Sequence, residues 1–129
     1  MDDLNELFEK DNPETALPEL QEAAQRDDTG AMLTLGGLFN GQGKSRLAEY
    51  WLTQAAYKGD AKSMRDLAGF LREQGRHQEA ERWYTQAATT GDTKAMFVLG
   101  NLANEQGRTG EAERWHLQAA ENGHVPSMN

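Results

Sequence analysis

The side chains able to do chemistry in this sequence are few, and their spacing suits none of the usual tasks. The three histidines are His77, His116 and His124; none stands at i, i+4 from another, and no HExxH pattern is present to hold a metal. Cysteine is absent, which removes disulfides, thiolate metal sites and thiol nucleophiles, and leaves the redox compartment open. Two carboxylate pairs remain, Glu79 with Glu81 and Glu111 with Glu113. They recur at equivalent places in successive segments, which puts them on exposed helix faces near an N-terminus, where a negative charge favours the helix dipole. His116 falls in line with Leu52 and Tyr84, a packing position, and His124 in line with Asp60 and Asp92, a capping position. The 13 glycines recur mostly at helix ends and spell out no phosphate-binding loop. The expectation is a protein that is not an enzyme, with no catalytic residue, no metal and no cofactor.

Charge narrows the partners. With 21 acidic against 13 basic side chains the 129-residue chain carries a formal net charge of −8, which repels a phosphate backbone, so nucleic acid is not expected as a partner. The opening Met-Asp-Asp-Leu-Asn-Glu-Leu-Phe has neither a basic nor an apolar leader segment, and no later window approaches the ~18 apolar residues of a membrane span. A soluble, cytoplasmic protein is expected, with no membrane partner.

What would position any functional side chain is an internal repeat. Trp51, Trp83 and Trp115 recur at an interval of 32 residues, and their surroundings keep step: Ala48, Ala80 and Ala112 before them, then Ala55-Ala56, Ala87-Ala88 and Ala119-Ala120 after. Gly59, Gly91 and Gly123 close each unit, and Met32, Met64, Met96 and Met128 share the period, as do Leu35, Leu67 and Leu99. Segments 60–91 and 92–123 agree at 17 of 32 positions, which chance does not supply. The length suits a single domain over 1–129. Its parts are an N-terminal cap and degenerate repeat (1–27), three repeats (28–59, 60–91 and 92–123) and the start of another (124–129).

Each repeat reads as two helices of about 13 residues, because its apolar residues follow a helical rather than an alternating period. Met64, Leu67, Ala68 and Leu71 form one stripe, started by Asp60 as N-cap and ended at Gly75. Ala80, Trp83, Ala87 and Ala88 form the second, ended at Gly91. Ser45 and Thr109 stand where they could cap the second helices, with His77 in their place in the middle unit. Gly36, Ala68 and Gly100 are expected to face Ala48, Ala80 and Ala112 where paired helices cross. The tryptophans are expected to fill the space between hairpins, so that truncating one costs on the order of 3–5 kcal/mol. No strand is expected. The fold class is all-α.

Ala80-Glu81-Arg82-Trp83-Tyr84 with Ala87-Ala88 and Gly91, followed by Ala95-Met96 and Leu99-Gly100, resembles the Sel1-like repeats, relatives of the tetratricopeptide repeats. The resemblance runs from Thr15, in a degenerate second helix at 15–26, to the end of the chain. Gln-Gly-Arg replaces the Gly-Val-x-x-Asp loop usual in Sel1-like repeats, giving a turn of tetratricopeptide length. The resemblance implies a right-handed superhelical solenoid of antiparallel helix pairs whose first helices line a concave face, serving as a scaffold or adaptor for other proteins.

Carried onto this chain, the groove positions of tetratricopeptide repeats are Leu33, Gly37 and Asn40 in the first repeat. The second gives Lys62, Arg65, Gly69 and Arg72, and the third Lys94, Phe97, Asn101 and Asn104. The set is basic and rich in amides, suited to an acidic or extended peptide, since cations pair with carboxylates and Asn can hold an extended backbone. The competing reading is a solvated helix face balanced by Glu73 and Glu105. Two further functional readings differ in kind. Some helical repeats read RNA one base per repeat, although the acidic net charge opposes it. Alternatively the chain is a structural or self-associating segment of a longer array: a further first helix begins at His124, and such an end invites a second copy or another chain. An N-terminal helix at 3–10, with Leu4, Leu7 and Phe8 as its apolar stripe, is expected as a cap at the other end.

Overall fold

A computed structural model describes residues 13–123 of the chain, with side chains from residue 18 onward. Among these residues there are seven helices and no strand: α1 (Pro13–Gln25), α2 (Thr29–Gly41), α3 (Ser45–Ala56), α4 (Ala61–Glu73), α5 (His77–Thr89), α6 (Thr93–Glu105) and α7 (Thr109–Gly123). The fold is an all-α helical-repeat solenoid. The expected cap helix at 3–10 and the expected helix start at His124 lie outside the described residues. No helix among the described residues is long and apolar enough to cross a membrane.

The chain divides into two compact units at the Gly59/Asp60 junction, which is also a repeat boundary. In the first unit α2 packs on both α1 and α3; in the second, α4 packs on α5, α5 on α6 and α6 on α7. The same sequence positions make both cores. Met32, Leu35, Ala48, Ala55 and Ala56 are buried in the first unit, and Met64, Leu67, Ala80, Ala87 and Ala88 in the second, followed by Met96, Leu99 and Ala112. Each buried Leu or Met contributes about 1.5–3 kcal/mol over its exposed state.

Every first helix starts at an aspartate in extended conformation whose carboxylate accepts a backbone N–H of the first turn: Asp28 from Ala31, Asp60 from Lys62 and Asp92 from Ala95. The second helices start differently from the expectation. Ser45, His77 and Thr109 are the first helical residues rather than caps, and Lys44 and Arg76 occupy the N-cap position with no side-chain cap bond. The turn explains the shift. Gly43 takes a positive φ of 77°, its N–H donates to the Asn40 carbonyl, and Lys44 N–H donates to the Phe39 carbonyl. This paired closure of a helix C-terminus uses Lys44 as its last member, so that residue ends one helix and begins the next. The Arg76 and Arg108 N–H groups repeat the bond to Leu71 and Ala103.

The tryptophans are not the deepest side chains of their helices. Trp51, Trp83 and Trp115 are half-buried, whereas Leu52 and Tyr84, one position later, are buried. One residue is about 100° around a helix, enough to move the deepest side chain from one member of the pair to the other. Truncating Leu52 is therefore also expected to open a cavity, at a cost of about 2–5 kcal/mol.

Candidate functional site

The helix crossings determine which side chains reach the surface of α6. At Gly36 an added Cβ would lie 2.7 Å from Leu52, and at Gly100 one would lie 2.4 Å from the His116 ring. These glycines do meet the second helix of their hairpin closely, most closely at the residue after Trp, four beyond the expected alanine; at Gly36 the expected Ala48 is met as well, its carbonyl oxygen 3.6 Å from the added Cβ. In the third repeat the residue after Trp is His116. Gly100 lets its imidazole rest directly on α6, where it reaches two neighbours of the glycine's helix. The His116 ring lies 5.2 Å from the Phe97 ring with the planes tilted by 53°. Its Nε2–H donates to Asn101 Oδ1 at 3.3 Å.

Phe97 is thus held against His116 from one side while it remains 56% exposed. A side chain so large and so exposed on a helix that otherwise buries Met96 and Leu99 is an uncompensated apolar surface. It borders an open cleft of about 570 Å³ between α6 and α7, lined by Thr93, Lys94, Phe97, Val98, His116 and Ala119 among others. Lys94 is exposed at its rim and has no acidic partner among the described residues. Lys94, Phe97, Asn101 and Asn104 recur at three or four residues along α6 and so share one face.

The other positions carried over from the resemblance are engaged differently. On α4, Lys62 pairs with Asp66 one turn later at 2.9 Å, Arg65 Nε pairs with Asp92 at 2.7 Å, and Arg72 lies 3.8 Å from Glu105. Three of the four expected cations therefore already have a carboxylate, two of them across the repeat boundary within the second unit. Gly69 is half-buried, with space for a Cβ that would come no closer than 3.8 Å to the Tyr84 hydroxyl. In the first unit Leu33 is half-buried, and Gly37 and Asn40 are exposed on α2.

Three of the four carboxylates considered for chemistry serve as ion-pair partners. Glu79 pairs with Arg76, whose hydrogen bond holds its carboxyl below the usual carboxylate range. Glu111 accepts from Arg108 at 2.7 Å and Glu81 from the same arginine at 3.3 Å. Among the described residues no three histidine or carboxylate side chains come together as a metal site.

Sequence reasoning placed Lys94, Phe97, Asn101 and Asn104 on this face but missed Thr93, Val98 and His116 as its neighbours. The signal for His116 was present: Gly36 and Leu52 are 16 residues apart, as are Gly100 and His116. A glycine at the crossing therefore points to whatever occupies that second position.

Comparison with known proteins agrees with this architecture. The tetratricopeptide repeat family profile matches residues 61–90. No curated protein sequence matches the chain. Among solved structures, a Sel1 repeat protein from Oxalobacter formigenes is 27% identical with a TM-score of 0.71, over 92% of this chain and 54% of its own. The chain thus spans about half the length of that relative. Two structures of MamA superpose with TM-scores of 0.74 and 0.68 at 18% and 19% identity, over 98% and 92% of this chain and 77% and 68% of theirs. At that identity they report the shared fold alone.

Proposed function

We propose that the chain, which is similar to tetratricopeptide and Sel1-like repeat proteins, is a non-catalytic scaffold binding an extended, acidic segment of another protein along α6. One observation carries the reading: Phe97 is braced by His116, mostly exposed, and set between the open α6–α7 cleft and the unpaired Lys94. An apolar side chain of the ligand fills the cleft beside Phe97, a ligand carboxylate pairs with Lys94, and Asn101 and Asn104 hydrogen-bond the ligand backbone. Asn101 is already fixed by His116, so little side-chain entropy is lost when it engages.

Lys62, Arg65 and Arg72 contribute less, because a ligand carboxylate would have to displace Asp66, Asp92 or Glu105. Leu33 and Asn40 on α2 are proposed as contact positions of the first unit in its own right. The net charge of −8 favours a polypeptide over a nucleic acid, with Lys94 as a local exception to the acidic surface.

The test is selection of displayed random peptides on the full chain, followed by affinity measurement on Phe97→Ala and Lys94→Glu. The reading expects peptides carrying Asp or Glu beside an apolar residue, bound at least about tenfold more weakly by either variant. Peptides that bind both variants as well as the parent would contradict it.

A further inference from the structure

The outer face of α3 differs from the matching faces of the other two hairpins, and the difference is systematic. Leu47, Tyr50 and Tyr57 are 45%, 52% and 73% exposed. Their counterparts are Glu79, Arg82 and Thr89 in the second repeat and Glu111, Arg114 and Glu121 in the third. The fold therefore accepts charged or polar residues at all three positions, and the first repeat alone presents an aliphatic and two phenolic side chains there. With Gln54 between them they follow one helical stripe. Tyr50 packs its ring against Trp51 at 5.0 Å with the planes at 81°, which fixes its orientation.

Charge changes along with the apolar residues. In the second and third repeats the cation before the second helix pairs with a glutamate three residues on, Arg76 with Glu79 and Arg108 with Glu111. In the first repeat that glutamate is Leu47, and Lys44 lies over the Phe39 ring instead, 5.9 Å from its centroid. Segment 44–58 holds Lys44, Arg46 and Lys58 against the single acid Glu49. Segment 76–90 balances Arg76 and Arg82 with Glu79 and Glu81, and 108–122 has more acids than bases. Arg46 and Lys58 flank the stripe where the other repeats have Gln78 and Thr90, or Gly110 and Asn122. Lys58 touches the exposed Asp27 at 3.2 Å, and Arg46 has no acidic partner among the described residues.

We propose that this face of α3 is a second docking surface that takes an acidic, amphipathic helical segment of a partner protein. The ligand's apolar stripe covers Leu47, Tyr50 and Tyr57, and its flanking carboxylates meet Arg46 first, Lys58 contributing less because it already has Asp27. Tyrosine is among the residues that most often anchor interfaces, and complementary charge at the rim sets which partner approaches. Over a screening length of about 8 Å the local excess of cations, not the net charge of the whole chain, decides which peptide is attracted. The surface shares no residue with the α6 face of the proposed function and stands whether or not that reading holds.

The sister repeats supply substitutions already compatible with the fold. Leu47→Glu with Tyr50→Arg installs the residues of the second repeat, and Arg46→Gln does the same for charge alone. Random peptides of about sixteen residues, displayed and selected on the full chain, are the probe. We expect a class with acidic residues flanking an i, i+3, i+4 apolar stripe. Its binding falls at least about tenfold in L47E/Y50R and severalfold in R46Q, and is unchanged in Phe97→Ala. Circular dichroism melting of each variant confirms that the helices remain. Failure to obtain a class that L47E/Y50R and R46Q both weaken would overturn the proposal, as would a class that is neutral or basic. Sedimentation showing self-association that L47E/Y50R abolishes would also overturn it, because the occupant would then be a second copy.

Discussion

Arg65 Nε donates to Asp92 Oδ2 across 2.7 Å, and the same carboxylate oxygen accepts the Ala95 backbone N–H at 2.9 Å. One aspartate thus starts α6 and ties it to α4. The Arg65 and Asp92 side chains are 24% and 16% exposed, so water screens this pair less than the others on the surface. Asp92→Ala removes the cap, worth about 1 kcal/mol, and strands a half-buried guanidinium, for a combined loss of about 2 kcal/mol in urea denaturation. Arg65→Leu, which copies Leu33 of the first repeat, removes the charge together with its need for a partner. It is expected to change stability by less than about 1 kcal/mol.

Asp27 stands where the later repeats have Gly59 and Gly91, and it adopts the same left-handed backbone, with φ of 71°. A residue with a Cβ pays about 1–2 kcal/mol for that conformation. Its contact with Lys58 is solvent-exposed and returns less than that. Asp27→Gly is therefore expected to stabilise the first unit by about 1 kcal/mol, read as a higher melting midpoint.

Three helical glycines should answer differently to alanine. At Gly69 the nearest atom to an added Cβ is 3.8 Å away, so the gain in helix propensity, about 1 kcal/mol, should appear as stabilisation. Gly36→Ala meets Leu52 at 2.7 Å and Gly100→Ala meets His116 at 2.4 Å, and each is expected to lose about 1–3 kcal/mol. In the Gly100 variant the imidazole must also leave Phe97 and Asn101. Nuclear magnetic resonance of the His116 ring should show a changed environment even where the melt changes little.

Acid should expose the Arg76–Glu79 pair. The Glu79 carboxyl titrates below its unfolded value because Arg76 hydrogen-bonds the charged form. A depressed acid contributes stability at pH above the unfolded carboxylate range, and that contribution disappears as pH falls through the folded value. Glu79→Gln should accordingly differ most from the parent near neutral pH, and the two should converge in urea melts taken at progressively lower pH. A difference that widens toward acid would have the wrong sign.

The 32-residue period made most of the architecture legible, since Met64, Leu67, Ala80 and Ala87 and their repeats specify which faces are buried. Periodicity did not resolve Trp83 from Tyr84, because adjacent residues lie near the same edge of an apolar stripe and only the crossing geometry ranks them. It also placed the second-helix caps one residue late, because the turn at Gly43 and Lys44 closes two helices with one residue. Charge pairing was the least legible feature. Arg65 and Asp92 are 27 residues apart, and nothing in either local pattern announces that they meet. The groove cations thus read as available, although Lys62, Arg65 and Arg72 face carboxylates and Lys94 does not.

Amide hydrogen exchange on the full chain, with and without a peptide selected for binding, tests the scaffold reading most directly. The account predicts slowed exchange in 93–105 and 109–123 when the peptide is bound, and no slowing there in the Phe97→Ala variant. Unchanged exchange in both segments, with a peptide that binds tightly, would contradict the assignment of α6 as the binding face.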